Sequence, residues 1–107
     1  MSSAYQYCNK LTGNAVCGNN VTNMRNAYYN CRNITSGEIG SKVTDTNNAF
    51  YNCVNLKTVT VYASTPPRYK AFSGCSNLIA IYVPNSSINT YKNNSYWSDY
   101  ASIIQGF

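Results

Sequence analysis

The sequence predicts a solenoid, a single small domain of about four stacked coils with short parallel strands and a helical C-terminal cap. Three observations predict it. Cys8, Cys31, Cys53 and Cys75 recur at intervals of 23, 22 and 22 residues. Each sits in the same frame, Ala-aromatic-x-x-Cys-x-x-Leu/Ile, running Ala4–Leu11, Ala27–Ile34, Ala49–Leu56 and Ala71–Leu78. After the third frame, Lys57-Thr-Val-Thr-Val-Tyr62 alternates strictly, the pattern of a half-buried strand. A fixed period of this length marks stacked units, each of which buries its apolar face only against its neighbours.

The strands follow from the period. Val59 and Val61 point inward, with Thr58, Thr60 and Tyr62 outward. A shift of 22 residues places Ile81 and Val83 inward and Tyr82 outward beside Thr60; Pro84 ends that strand. Backward shifts place Gly37 and Ile39 inward with Glu38 outward, then Asn14 and Val16 inward with Ala15 and Cys17 outward. Gly37 leaves a gap and Asn14 is polar, so the first two strands are expected to be irregular or bulged. The connection from Val16 to Ala27 holds the one extra residue. Pro66 and Pro67 turn the chain, and Tyr69-Lys70-Ala71-Phe72 is expected to form a short helical turn.

The repeats are assigned to 1–84, with frames starting at Ala4, Ala27, Ala49 and Ala71, and the cap to 85–107. In the cap, Trp97, Tyr100 and Ile104 follow a helical spacing. Ser86 or Ser87 is placed to cap one short helix and Ser98 a second.

The frame implies chemistry of packing. Ala fits a tight turn, the aromatic fills the space between coils, and Cys and Leu/Ile enter a narrow interior. The cysteines are read as buried free thiols stacked in a column, although neighbouring coils lie close enough for a disulfide. Asn33, Asn55 and Asn77 form an amide ladder at the turn.

The frame Ala-Phe-x-x-Cys-x-x-Leu followed by Val-x-Val resembles the BspA-type leucine-rich repeats. The segment from Tyr82 to Ile104 is similar to the end of such arrays. The resemblance implies a leucine-rich-repeat solenoid, with short helical or 3₁₀ turns between parallel strands, and a non-catalytic binding or adhesive role in bacterial surface or phage-encoded proteins. It brings no catalytic residues.

Composition points the same way. The chain has no histidine and only three acids, Glu38, Asp45 and Asp99, so the usual activated nucleophiles are missing. The cysteines are too widely spaced for a zinc signature, and no glycine-rich phosphate loop occurs. No cofactor or metal is expected, and no enzyme. The net charge is +5, with eleven tyrosines. The cations are scattered, so nucleic-acid binding is disfavoured, and attraction to anionic glycans or an acidic partner is compatible. No apolar run spans a membrane. Met1 leads into the first frame without a signal peptide, so the expected location is a cell surface or a virion, reached by another route or as part of a larger protein.

The outward strand positions are the expected contact face, with Glu38, Thr58, Thr60, Tyr62 and Tyr82 as its binding residues. Its columns read Ala15-Glu38-Thr60-Tyr82 and Cys17-Gly40-Tyr62-Pro84, flanked by Ser36-Thr58-Ala80. Cys17, if exposed there, is the one reactive thiol. The partner is a host-surface protein or glycan. The alternative is a virion structural role, in which an open N-terminal coil packs against another subunit or a second copy of the chain.

Overall fold

The computed structural model describes residues 12–107. The first frame, with Cys8 and the expected open N-terminal coil, lies outside the described residues.

Five short strands, β1 (Gly13–Ala15), β2 (Ile34–Ile39), β3 (Thr58–Val61), β4 (Ala80–Val83) and β5 (Ile104–Gly106), pair in parallel and in chain order. Such an order arises when each coil returns the chain to the same side, one strand spacing further on. The sheet is open, as a solenoid requires. From β2 onward the register is as the period predicts, with Glu38 opposite Thr60 and Thr60 opposite Tyr82. Gly37, Ile39, Val59, Val61, Ile81 and Val83 are all buried.

The far side of each coil lacks regular strands yet pairs just as systematically. The amides of Met24, Asn26, Tyr28 and Asn30 donate to the carbonyls of Asp45, Asn47, Ala49 and Tyr51. Those of Thr46, Asn48, Phe50 and Asn52 donate to Arg68, Lys70, Ala71 and Ser73. Buried backbone donors need partners, and the next coil supplies them.

Between the two sides lies the core. Ala27, Ala49 and Ala71 are buried at the turn. Tyr28, Phe50 and Phe72 stack at centroid distances of 5.2 and 5.8 Å. The Asn ladder forms as expected: Asn55 and Asn77 donate from Nδ2 to the carbonyls of Arg32 and Val54, both at 2.7 Å. The residue before each cysteine has a role that the frame does not announce. Asn30, Asn52 and Gly74 all have positive φ, at 61°, 61° and 82°. Asn and Gly tolerate this left-handed turn best. Asn30 leaves its amide oxygen buried without a hydrogen bond, so the backbone conformation, not side-chain bonding, accounts for the residue.

Several expectations are corrected. Ala15 and Cys17 are buried, and Val16 is 64% exposed, the reverse of the expected order. Ala15 pairs with Gly37, one residue off the expected register, and a bulge falls between Gly13 and Asn14. The extra residue is therefore taken up before the strand, not after Val16. A one-residue slip exchanges the two faces of a strand. Gly37 leaves no gap either. A Cβ there would lie 2.6 Å from Cε1 of Phe50, so the ring occupies the space. Ala80 pairs with Thr58 as expected but is buried, because a methyl is too short to stand clear of the surface.

Tyr69–Phe72 is not helical. It contains a bend in which Tyr69 has φ 74°. The C-terminal segment does contain short helices, a 3₁₀ turn at Asn85–Ser87, α1 (Ile88–Lys92) and a second 3₁₀ helix at Ser98–Ile103. None has a side-chain cap. The Ser87 hydroxyl instead donates to the Ser64 carbonyl at 2.9 Å. Nor does Ile104 continue a helical stripe. It begins β5, which pairs with β4 and extends the sheet.

The thiol column is partly corrected. Cys31 is disulfide-bonded. Cys53 and Cys75 are free. Each donates from Sγ at 3.0 Å to a carbonyl of the preceding coil, Tyr28 and Phe50 respectively. Burial pushes both thiols from an ordinary 9.0 up to about 12, and the Cys53 sulfur beside Cys75 adds to the rise there. A thiol with a higher pKa when folded holds its proton more tightly in the folded state. Its contribution to stability is complete below about pH 9 and is lost as the pH rises toward about 12. Buried Tyr91 and half-buried Tyr100 shift in the same direction, also chiefly through desolvation. The unfolding midpoint should therefore fall between pH 9 and 12. Native Cys53 and Cys75 should resist alkylation at pH 8, read by mass spectrometry, and react on unfolding. Rapid native labelling would contradict the buried column.

Candidate binding face

The outward side of the sheet is built by alternation, since every second residue of a strand faces away from the core. Glu38, Thr60, Tyr82 and Gln105 form its central column by direct pairing. Ser36 and Thr58 pair in the adjoining column, with Asn14 opposite Ser36. Tyr62 follows β3, tied by its amide to the Ile39 carbonyl at 2.9 Å. The five expected contact residues, Glu38, Thr58, Thr60, Tyr62 and Tyr82, therefore share one face.

Polar contacts order the early end of this face. Asn14 donates from Nδ2 to Glu38 Oε2 at 3.0 Å, and Ser36 donates to Asn14 Oδ1 at 2.8 Å. Glu38 is thereby held by a neutral amide, and no cation among the described residues forms an ion pair with it. At the other end, Tyr62 meets Phe107 edge to face at 5.6 Å. A groove of about 440 Å³ runs beside Glu38 and Tyr62, bordered by Asn19, Ser41 and the side-chain-free Gly40, with Cys17 also lining it.

Cys17 is not the exposed thiol of this face. It is 7% exposed, with Sγ 3.7 Å from the Met24 sulfur. Desolvation raises its pKa, so it is not primed as a nucleophile. Val16 stands outward in its place, one position beyond the Ala15–Gly37 pair.

Sequence reasoning missed Asn14, Val16, Gln105 and Phe107. The first two were hidden by the misplaced extra residue. The last two belong to a strand that no alternation announces. Among the described residues, no three of His, Cys, Asp and Glu gather as a metal site, and no helix is long and apolar enough to cross a membrane.

The stacked coils, the in-register parallel strands and the thiol-and-amide ladders repeat at a period that matches a known repeat. Residues 1–104 match the BspA type Leucine rich repeat region in six copies. The chain belongs to the BspA-type leucine-rich repeat family. A comparison with curated proteins finds no match. BspA-type repeats are generally protein-binding or adhesion modules, typically non-enzymatic and surface-associated. In this BspA-type chain the match runs through the segment that holds the short helices and reaches the start of β5.

Proposed function

We propose that the outward sheet face is the contact surface of a non-catalytic adhesion module, and that its partner is a protein on a cell surface or in a matrix. One observation carries this reading. Of the five large apolar side chains exposed among the described residues, Val16, Tyr62 and Phe107 fall on this side of the sheet. Tyr82 adds a second half-buried aromatic. Parallel sheets are ordinarily covered on both faces, and here the described chain covers only one. Tyrosine gives a large, amphipathic contact area at low entropic cost, which suits a protein interface. Thr58, Thr60 and Glu38 supply the polar contacts around it.

The test is binding to a panel of purified matrix proteins, with a neutral glycan array in parallel. Against a protein that binds wild type, Tyr62→Ala and Tyr82→Ala should each weaken affinity by ten-fold or more, leaving the melting temperature unchanged. Unchanged affinity in both variants would remove this face from consideration. Binding confined to the glycan array would replace the protein partner with a sugar.

A further inference from the structure

A second groove lies on the flank of the solenoid, where the chain leaves the sheet and turns toward the far side. It measures about 450 Å³ and lies between two successive coils, at residues 41–44 of one and 63–68 of the next. This is within the usual range for small-ligand sites. Its floor is apolar, from buried Val43 and Ala63. Two cations, Lys42 and Arg68, line it together with hydroxyl residues such as Ser41 and Thr65. No carboxylate lines it among the described residues.

The chain's three acids are all committed elsewhere. Asp45 pairs with Arg25 at 3.2 Å, Asp99 with Lys70 at 2.7 Å, and Glu38 bonds Asn14 on the sheet face. Among the described residues, Lys42 donates to a neutral amide, Asn20 Oδ1, at 3.4 Å. The Arg68 guanidinium sits over the Tyr69 ring at 5.8 Å, and that ring meets Tyr96 at 5.4 Å. Neither cation is paired with a carboxylate among the described residues.

Several carbonyls along the groove's two segments are already occupied. The Thr44 carbonyl accepts the Arg68 amide, and the Arg68 carbonyl accepts both the amide and the hydroxyl of Thr46. The Ala63 and Ser64 carbonyls are taken by the Tyr91 and Ser87 hydroxyls at 2.6 and 2.9 Å. Trp97 Nε1 holds the Pro67 carbonyl at 2.9 Å, so the loop 63–67 is clamped from the C-terminal side. These bonds hold both lining segments in a fixed frame.

Tyr69 supports the same reading. A bulky residue with φ 74° is a backbone outlier. It persists because Thr46 Oγ1 donates to both the Arg68 and the Tyr69 carbonyls, at 3.2 Å each. The Tyr69 ring so placed lies under two guanidinium groups, Arg68 at 5.8 Å and Arg25 at 5.9 Å.

We infer that this groove binds the oxyanion of an acidic polysaccharide, a sulfate or carboxylate carried on a sugar chain. The two cations meet the charge, the hydroxyls meet the sugar's own hydroxyls, and the apolar floor meets a ring face. This site adjoins the sheet-face groove at Ser41, which borders both, but Lys42 and Arg68 lie outside the proposed protein contact, so their loss should leave that contact intact.

The test uses dextran sulfate and polygalacturonate as probes, with neutral dextran and poly-glutamate for comparison, at fixed salt. Wild type should bind one or both acidic polysaccharides. Lys42→Gln and Arg68→Gln should each weaken that binding by five-fold or more, while Lys92→Gln, with the same charge removed elsewhere, changes it less than two-fold. Tyr62→Ala should have no effect. Arg68→Lys should recover only part, because lysine lacks the planar stack on Tyr69. Equal losses from all charge variants would overturn the site in favour of general attraction to a basic surface. Tighter binding of poly-glutamate would overturn it in favour of an acidic peptide. Absence of binding by every probe would also overturn it.

Discussion

Phe50→Ala is expected to lower stability by about 3–5 kcal/mol, the usual cost of deleting a fully buried phenyl. Phe50 is 0% exposed and is the middle ring of the aromatic column, stacked on Tyr28 on one side and Phe72 on the other. Its removal breaks both stacks and opens the interior between successive coils. In a chain this small, that loss is a large part of the total, since domains are stable by only about 5–15 kcal/mol. The melting temperature should fall by on the order of 15–30 °C. Thr90→Ala, at an exposed site, should stay within about 0.5 kcal/mol.

Gly37 supplies an internal check on this result. In wild type, Gly37→Ala puts a methyl group 2.6 Å from Cε1 and 2.8 Å from Cζ of Phe50, so it should destabilise by about 1–3 kcal/mol through overpacking. In the Phe50→Ala background the same methyl enters an emptied space and should be neutral or favourable. The double-mutant cycle then shows clear coupling. Additive effects in denaturant titrations, or a Phe50→Ala loss below about 1 kcal/mol, would mean the ring does not fill the glycine's place.

Trp97→Ala is expected to cost about 3–5 kcal/mol, again from a nearly fully buried ring. The indole packs edge to face on Phe72 at 5.5 Å and on Tyr91 at 5.0 Å. It therefore joins the aromatic column to the C-terminal segment. Its loss also leaves the Pro67 carbonyl without its donor. Trp97→Phe should isolate that hydrogen bond and cost less, about 1–3 kcal/mol. Hydrogen exchange should report faster opening of both 63–67 and β5 in Trp97→Ala, because the indole ties the loop to the last coil. Stability equal to wild type, or protection lost in only one of the two segments, would show that the clamp does not act as a unit.

These two residues also mark how far the sequence could be read. Phe50 belongs to the frame, and its column with Phe72 follows directly from the 22-residue interval. Trp97 lies beyond the last frame. Its spacing to Tyr100 and Ile104 suggested one helix, but the chain forms a 3₁₀ helix that ends in a fifth strand. A helical spacing in three residues does not decide between a helix and a strand that starts partway along it. Pairing with β4 decides it, and that pairing is made across 23 residues.

The contact face divides in the same way. Glu38, Thr58, Thr60, Tyr62 and Tyr82 were legible because two strands alternate cleanly and the interval between them is constant. Val16 and Cys17 were not. The interval from Cys8 to Cys31 reveals one extra residue but not where it is absorbed. Placing it before Asn14 rather than after Val16 leaves the frames unchanged and exchanges the two faces of the first strand.

The sequence by itself determined the solenoid, its period, the inward columns of the later strands, the aromatic stack and the Asn ladder. All of these repeat, and repetition is visible in one dimension. The tertiary structure alone decided the first strand's register, the filling of Gly37's space by Phe50, the fifth strand and the grouping of Lys42 with Arg68. Each of these depends on contacts between coils, where a shift of one residue changes the neighbour and leaves the local pattern intact.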